Sequence, residues 1–259
     1  MIDLPLYEHR AVRQRAVQVL STFLPVDSFL RLCKDKLLCL EAHSPNRVLM
    51  LQHGFDAVSR TRGHARAASN TSIPTHGSSG ARCLNEKLLL EVLQECALGD
   101  SVKKARLQAV KLLSQVAQWP AVLKHLQGII TTVLAAKACD PHPPVRYVAM
   151  EALCPLLQPG RGTAVHSGAE EGRIAGVIAR LLRLAGHPAC DEAAPPHVRQ
   201  AVAETTVSFL RGGKPVVQGG RLLAKAHATR RLALLLAHFK TSEHSQVGVL
   251  LQPLLPQLV

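Results

Sequence analysis

The sequence predicts an all-α fold in which helix pairs stack along one axis, an α-solenoid. Three observations lead to this fold class. Apolar residues recur every three or four positions through most of the 259 residues, as on the buried face of a helix. Hydrophobic residues make up 47% of the chain but aromatic residues only 3%, a composition that disfavours strands. A short motif also returns at a spacing typical of helix-pair repeats.

Three helices are predicted in the N-terminal part. The first covers about 9–24, and Pro25 ends it because proline cannot continue a helix. The second covers about 27–40, with Asp27 as its N-cap. The third covers about 45–58, beginning with a proline that suits a first helical turn.

Seven further helices follow, and Asp100 or Ser101 is expected to cap the second of them. They cover about 85–96, 102–116, 120–139, 144–157, 170–185, 196–210 and 221–239. Two Gly/Ser-rich segments, 69–80 and 159–168, are predicted as flexible loop insertions because they carry few large apolar residues.

The whole chain, 1–259, is therefore predicted as a single α-solenoid. Its helix pairs are placed at about 9–62, 84–117, 120–158, 170–211 and 221–259. Solenoid ends need polar caps, and this chain begins and ends without a clear one. We expect it to form part of a longer array.

An internal repeat supports this architecture. The motif V-R-x-x-A, with Ala or Val at its first and last positions, occurs four times, and the spacings between its arginines are 93, 40 and 53 residues. An aspartate precedes two of the copies, Asp100 and Asp140. We expect the arginines to form a structural ladder by bonding to the turn aspartate or to carbonyls of the adjacent repeat. They are Arg13, Arg106, Arg146 and Arg199.

Composition and motifs argue against catalysis by this chain. It has no nucleotide-binding glycine motif, no H-E-x-x-H, no C-x-x-C and no G-x-S-x-G. We therefore expect no enzyme activity, no cofactor and no metal. No secretory signal or membrane span is visible, and the seven cysteines suit buried thiols in a reducing compartment. A cytoplasmic location is expected, with the nucleus as the alternative.

The net charge of +13 leaves a partner-binding role open. Several basic clusters are either a solvated surface or a surface that follows the phosphates of RNA. With few aromatic residues to stack on bases, such binding would read backbone and shape. The candidate residues are Arg60, Arg62, Arg66, Lys103, Lys104, Arg221, Lys225, Arg230 and Arg231.

The repeated motif resembles the HEAT and armadillo repeats. The resemblance covers about 84–211 and, more loosely, 9–62. It implies a right-handed α-solenoid whose concave surface binds another macromolecule.

A narrower resemblance concerns residues 10–58. They look like a stretch of the thyroid-adenoma-associated family of tRNA 2′-O-methyltransferase regulators, although residues 48–50 stand where that family has a His-Gly pair. The matching residues are Val12, Arg13, Ala16, Leu20, Asn46, Leu49, Leu51 and Gln52. The resemblance implies a non-catalytic protein in tRNA methylation. It would hold a SAM-dependent methyltransferase and help to present the tRNA anticodon loop.

Other functions stay open from the sequence. A generic HEAT scaffold of a tubulin-folding, transport or trafficking assembly would have a similar pattern. A basic solenoid that binds RNA directly is a further alternative, and an enzyme without a recognisable motif is the last.

Overall fold

The computed structural model describes residues 10–37, 46–68, 78–119, 124–158, 168–186, 194–211 and 220–238. All regular structure in these residues is helical, which confirms the all-α prediction. The helices are α1 (Arg10–Phe23), α2 (Val26–Leu37), α3 (Asn46–Ala68), α4 (Ser78–Gly99), α5 (Lys103–Ala117), α6 (Lys124–Lys137), α7 (Pro143–Leu157), α8 (Gly168–Gly186), α9 (Pro196–Arg211) and α10 (Gly220–His238).

The chain divides into two compact units, Met1–Val133 and Leu134–Val259, and the division falls inside α6. In the first unit, α1, α2 and α3 each contact the next helix and the next but one, and α4 contacts α5. Contacts between α1 and α3 and between α3 and α5 form one layer, and contacts between α2 and α4 form the other. The large side chains buried completely between these layers include Phe29, Leu30, Met50, Leu89, Leu93 and Leu113.

The second unit shows the same pattern of contacts. Helix α7 contacts α9, α8 contacts α10, and α9 contacts both α8 and α10. Buried side chains of these helices include Met150, Leu153, Ile178, Leu182, Phe209 and Leu235. In each unit the helices therefore pack on their neighbours in a way that is compatible with an α-solenoid.

Several helix starts differ from the predicted ones. Helix α2 begins at Val26, so Asp27 lies in its first turn and is not the N-cap. Helix α4 begins at Ser78, seven residues before the predicted start, so the last three residues of the predicted 69–80 loop are helical. The N-cap of α5 is Val102 rather than Asp100 or Ser101.

Two predicted loops lie mostly outside the described residues, at 69–77 and 159–167. The predicted start of a helix at residue 120 also lies there, and α6 is described from Lys124. Within the described part of the chain, none of the helices is both long enough and apolar enough to cross a bilayer.

Candidate functional site

The connection between α4 and α5 is a closed turn organised by one aspartate and one arginine. Asp100 Oδ1 accepts a hydrogen bond from the Val102 backbone N–H at 2.7 Å. Arg106 then reaches back from the first turn of α5, and its Nη1 donates to the Asp100 and Ser101 carbonyl oxygens, both at 3.0 Å. The side chain of Asp100 thus holds the entry to α5 although Asp100 itself is not the N-cap.

The connection between α6 and α7 repeats this turn 40 residues later. Asp140 Oδ1 accepts from the His142 backbone N–H at 2.9 Å. Arg146 Nη1 donates to the Asp140 and Pro141 carbonyl oxygens at 2.9 and 3.0 Å. The two segments share only the aspartate and, six positions later, the arginine, so these two residue types carry the common geometry.

The two turns differ in the cation that faces the aspartate. Arg47 from the start of α3 donates through Nη1 to Asp100 Oδ1 at 2.6 Å, and only 6% of its side chain is exposed. In the other turn, Lys137 from the end of α6 contacts Asp140 Oδ2 at 3.1 Å. Both carboxylates are fully buried, so a paired cation is needed to offset the cost of removing their charge from water.

The other two members of the predicted arginine ladder lack this sequence pattern. The side chain of Arg13 lies outside the described part of the structure. Arg199 is exposed at the start of α9. Neither arginine has an aspartate six positions before it, where the sequence has Tyr7 and Ala193.

Arg62, predicted as a candidate for phosphate or partner binding, packs inside the first unit. It forms an ion pair with Glu86 of α4 and is 10% exposed. Its guanidinium also lies 4.6 Å from the centre of the Trp119 ring, which contacts Phe55 at 5.4 Å. The charge of Arg62 is therefore directed at a carboxylate and a ring in the helix packing, and its role in phosphate or partner binding stays a prediction.

Arg231, another candidate, is held in the same way in the second unit. Its Nη1 donates to the Phe209 carbonyl oxygen at 2.7 Å, and its Nη2 contacts Glu171 at 3.3 Å. Only 9% of its side chain is exposed. Sequence reasoning missed Glu86 and Glu171, and no local signal could have found them because both belong to other helices.

The remaining candidates fall into two groups. Side chains that the structure describes as exposed are Arg60, Lys103, Lys104 and Arg230. Side chains outside the description are Arg66, Arg221 and Lys225. The exposed group keeps the capacity to bind an anion, since a surface cation loses little hydration in meeting a phosphate.

A polar seam joins α3 and α5 next to some of these cations. Gln108 Nε2 donates to Gln52 Oε1 at 2.7 Å, and Gln52 Nε2 donates to Asp56 Oδ1 at 2.9 Å. On the other side of α3, Ser21 of α1 lies 3.4 Å from His53 Nδ1. Polar side chains therefore connect the three helices of this layer at its surface.

The described cysteines divide into buried and exposed thiols. Cys33, Cys96 and Cys154 are buried, while Cys83 and Cys139 are exposed. Burial raises the pKa of Cys33 to about 12, and it also raises the pKa of Cys96 and of Cys154. The buried thiols are consequently poor nucleophiles at neutral pH.

In the part of the chain that the structure describes, no group of three or more His, Cys, Asp or Glu side chains is arranged to hold a metal ion. The buried carboxylates of Glu86, Asp100, Asp140 and Glu171 each contact a cation, so their arrangement is that of structural ion pairs.

Comparison with known proteins yields no match among protein-family models, curated proteins or solved structures. The class that the structure itself defines is an all-helical protein whose neighbouring helices pack on one another.

Proposed function

We propose that this chain is a non-catalytic HEAT-type scaffold that binds a protein partner. The observation that carries the proposal is the repeated turn, in which Asp100 with Arg106 and Asp140 with Arg146 close two helix connections in the same way. A turn repeated after 40 residues is typical of an array of helix pairs. Such arrays present long surfaces for macromolecular partners.

The finer architecture belongs to the same proposal. The contacts between alternate helices, such as α1 with α3, α2 with α4 and α7 with α9, would arise from a right-handed stack of HEAT or armadillo-like pairs, with consecutive helices in separate layers. The carboxylates that the structure describes as buried are engaged in ion pairs, which supports a scaffold more than an enzyme.

The partner that we propose is a SAM-dependent tRNA 2′-O-ribose methyltransferase in the cytoplasm. Support for this assignment comes from the resemblance of residues 10–58 to regulators of such enzymes. In that role the chain would hold the enzyme and help to present the tRNA, while the methyl donor would bind to the enzyme. The chain itself would then need no cofactor site.

Affinity capture of the tagged full chain from cell extract tests this function, with bound protein and RNA both identified. We expect a methyltransferase together with tRNA. Capture of a different assembly without RNA, such as a tubulin-folding or trafficking complex, would overturn the tRNA assignment and keep the scaffold. Failure to capture any protein would contradict the scaffold itself.

Capture by two variants tests whether partner binding depends on the repeated turns. Asp100→Ala combined with Asp140→Ala removes both carboxylates that close the repeated turns. We expect this double variant no longer to capture the protein partner. Arg199→Ala removes an exposed arginine of the same sequence motif, and this variant should still capture the partner. Equal capture by both variants would mean that the partner does not recognise the stacked helices.

A further inference from the structure

Charge in the first unit is divided unevenly between the two helix layers. Helices α1, α3 and α5 carry eleven Lys and Arg residues and a single acidic residue, Asp56. Helices α2 and α4 carry five basic and five acidic residues. The excess positive charge of this unit's helices is therefore concentrated in the layer formed by α1, α3 and α5.

Some of this charge is used inside the packing and some is not. Arg47 faces Asp100, Arg62 faces Glu86, and Arg106 closes its turn. Among the side chains of this layer that the structure describes, the exposed cations are Arg15, Arg60, Lys103, Lys104 and Lys111. Lys34 of the other layer, in contrast, contacts the carboxylates of Glu91 and Glu95.

Three of the exposed cations lie on the adjacent helices α3 and α5, and we call Arg60, Lys104 and Lys111 the basic face. Lys104 and Lys111 are four residues before and three residues after Gln108, so they share its stripe on α5. Arg60 lies seven residues after His53, so it shares the stripe of His53 on α3. The hydrogen bond between Gln52 and Gln108 joins the two helices beside the lysines.

The two helices run in the same direction, which sets the spacing of these charges. The start of α3 contacts the segment just before α5, through Arg47 and Asp100, and a later part of α3 contacts the segment just after α5, through Arg62 and Trp119. At a rise of 1.5 Å per residue, the two lysines are about 10 Å apart along α5. The arginine lies on a helix whose axis is roughly 8–10 Å from that of α5.

The chemistry of the face favours a polyanion over a protein. Among the described side chains of α3 and α5, none of the exposed residues is a large hydrophobic one. Protein interfaces need such anchors at their centre, whereas a phosphate backbone needs cations and polar donors. The only tryptophan of the chain packs against Phe55 and Arg62, so it is engaged away from base stacking.

We infer that the basic face binds the phosphate backbone of a duplex nucleic acid, without reading its bases. This goes beyond the proposed function, because it assigns direct nucleic-acid contact to the chain without its protein partner. The purified full chain can therefore be tested alone, and either proposal can fail without the other.

The test measures binding of a fluorescein-labelled RNA duplex of about 20 base pairs by fluorescence anisotropy, between roughly 50 and 200 mM KCl. The variant Lys104→Gln with Lys111→Gln removes two charges from the basic face. Its matched control, Arg31→Gln with Lys87→Gln, removes two exposed charges from α2 and α4. Circular dichroism of each variant checks that the helices are retained.

We expect the basic-face variant to bind at least about tenfold more weakly, and its log–log salt slope to be shallower by up to about 1.8, since each lost phosphate contact contributes about 0.9. The control should bind within about twofold of the wild-type chain. Equal weakening by both variants would overturn the inference, because attraction would then depend only on net charge.

Two further arms separate the possible ligands. A DNA duplex of the same sequence that binds as tightly as the RNA supports a backbone ligand common to both, and tighter RNA binding assigns the face to RNA. A polyglutamate peptide that binds more tightly than either duplex, with the same sensitivity to Lys104→Gln and Lys111→Gln, would overturn the inference in favour of an acidic protein.

Discussion

Replacement of Asp100 by alanine should destabilise the first unit more than any other single change in its turns. The carboxylate accepts hydrogen bonds from Arg47 and from the Val102 backbone, and Cys96 Sγ lies 3.5 Å from its second oxygen. Alanine removes the negative charge that faces the buried guanidinium of Arg47 and the acceptor that holds the entry to α5.

The size of the effect follows from these contacts. Removal of one partner of a buried ion pair costs about 3–5 kcal/mol, because the other charge stays in a medium of low dielectric constant. Asp100→Asn keeps the volume and one oxygen acceptor, so its cost should be smaller, about 1–3 kcal/mol. Asp140→Ala should also cost less, about 1–2 kcal/mol, because the flexible Lys137 can turn its ammonium group towards water.

Urea unfolding followed by tryptophan fluorescence measures the Asp100 variants. Trp119 is the only tryptophan and lies in the first unit against Phe55 and Arg62, so its emission reports on that unit. With a slope of about 2 kcal/mol per molar urea, Asp100→Ala should lower the midpoint by roughly 1.5–2.5 M. A midpoint within about 0.5 M of the wild-type value would refute this account of the turn.

Three further predictions concern the arginines and the thiols. Arg146→Ala should lower the free energy of unfolding by about 1–3 kcal/mol, because two hydrogen bonds to carbonyl oxygens are lost. Urea unfolding followed by far-UV circular dichroism measures this loss, and Arg199→Ala, which removes an exposed arginine, should change the value by less than about 0.5 kcal/mol. Similar losses in the two variants would contradict the role assigned to Arg146. Arg231→Ala should cost about 3–5 kcal/mol in the same assay because the Glu171 carboxylate stays buried, and a loss below 1 kcal/mol would speak against that ion pair. Iodoacetamide at neutral pH should modify exposed Cys139 well before Cys33, because burial raises the pKa of Cys33 to about 12. Mass spectrometry of the peptides measures the two rates, and equal rates would contradict the burial of Cys33.

The raised pKa of Cys33 also determines how the stability of the folded state changes with pH. The folded state holds this proton more tightly than the unfolded state, so its contribution to stability is present below about pH 9. That contribution is lost as the pH rises from about 9 to about 12. Cys33→Ala should therefore reduce the alkaline loss of stability between these values.

The helical content could be predicted from the sequence, and so could the recurrence of an aspartate with an arginine at two helix connections, because both depend on residues close together in the chain. The acceptors of these arginines, which are carbonyls of their own turns, were not predicted. Apolar periodicity reports the buried face of each helix locally, and Asp140 and Arg146 are six residues apart. The exact starts of the helices were less predictable, as at Ser78, where a helix begins although Ser and Gly have a low helix propensity.

The long-range ion pairs could not be predicted from the sequence. Arg47 and Asp100 are 53 residues apart, and Arg231 and Glu171 are 60 apart. A charged residue in a basic segment looks the same in the sequence whether it faces water or a carboxylate on another helix. Only the packing of the helices distinguishes exposed Arg60 from Arg62, two residues further along α3, which is paired with Glu86.

The partners of Asp100 have a consequence for the order in which the chain folds during synthesis. Its contacts come from Arg47, Cys96 and Val102, and the arginine that closes the turn is Arg106. Each of these residues is made before residue 107. The turn therefore needs no residue beyond Arg106, and it can close once this stretch has left the ribosome, while the second unit is still being made.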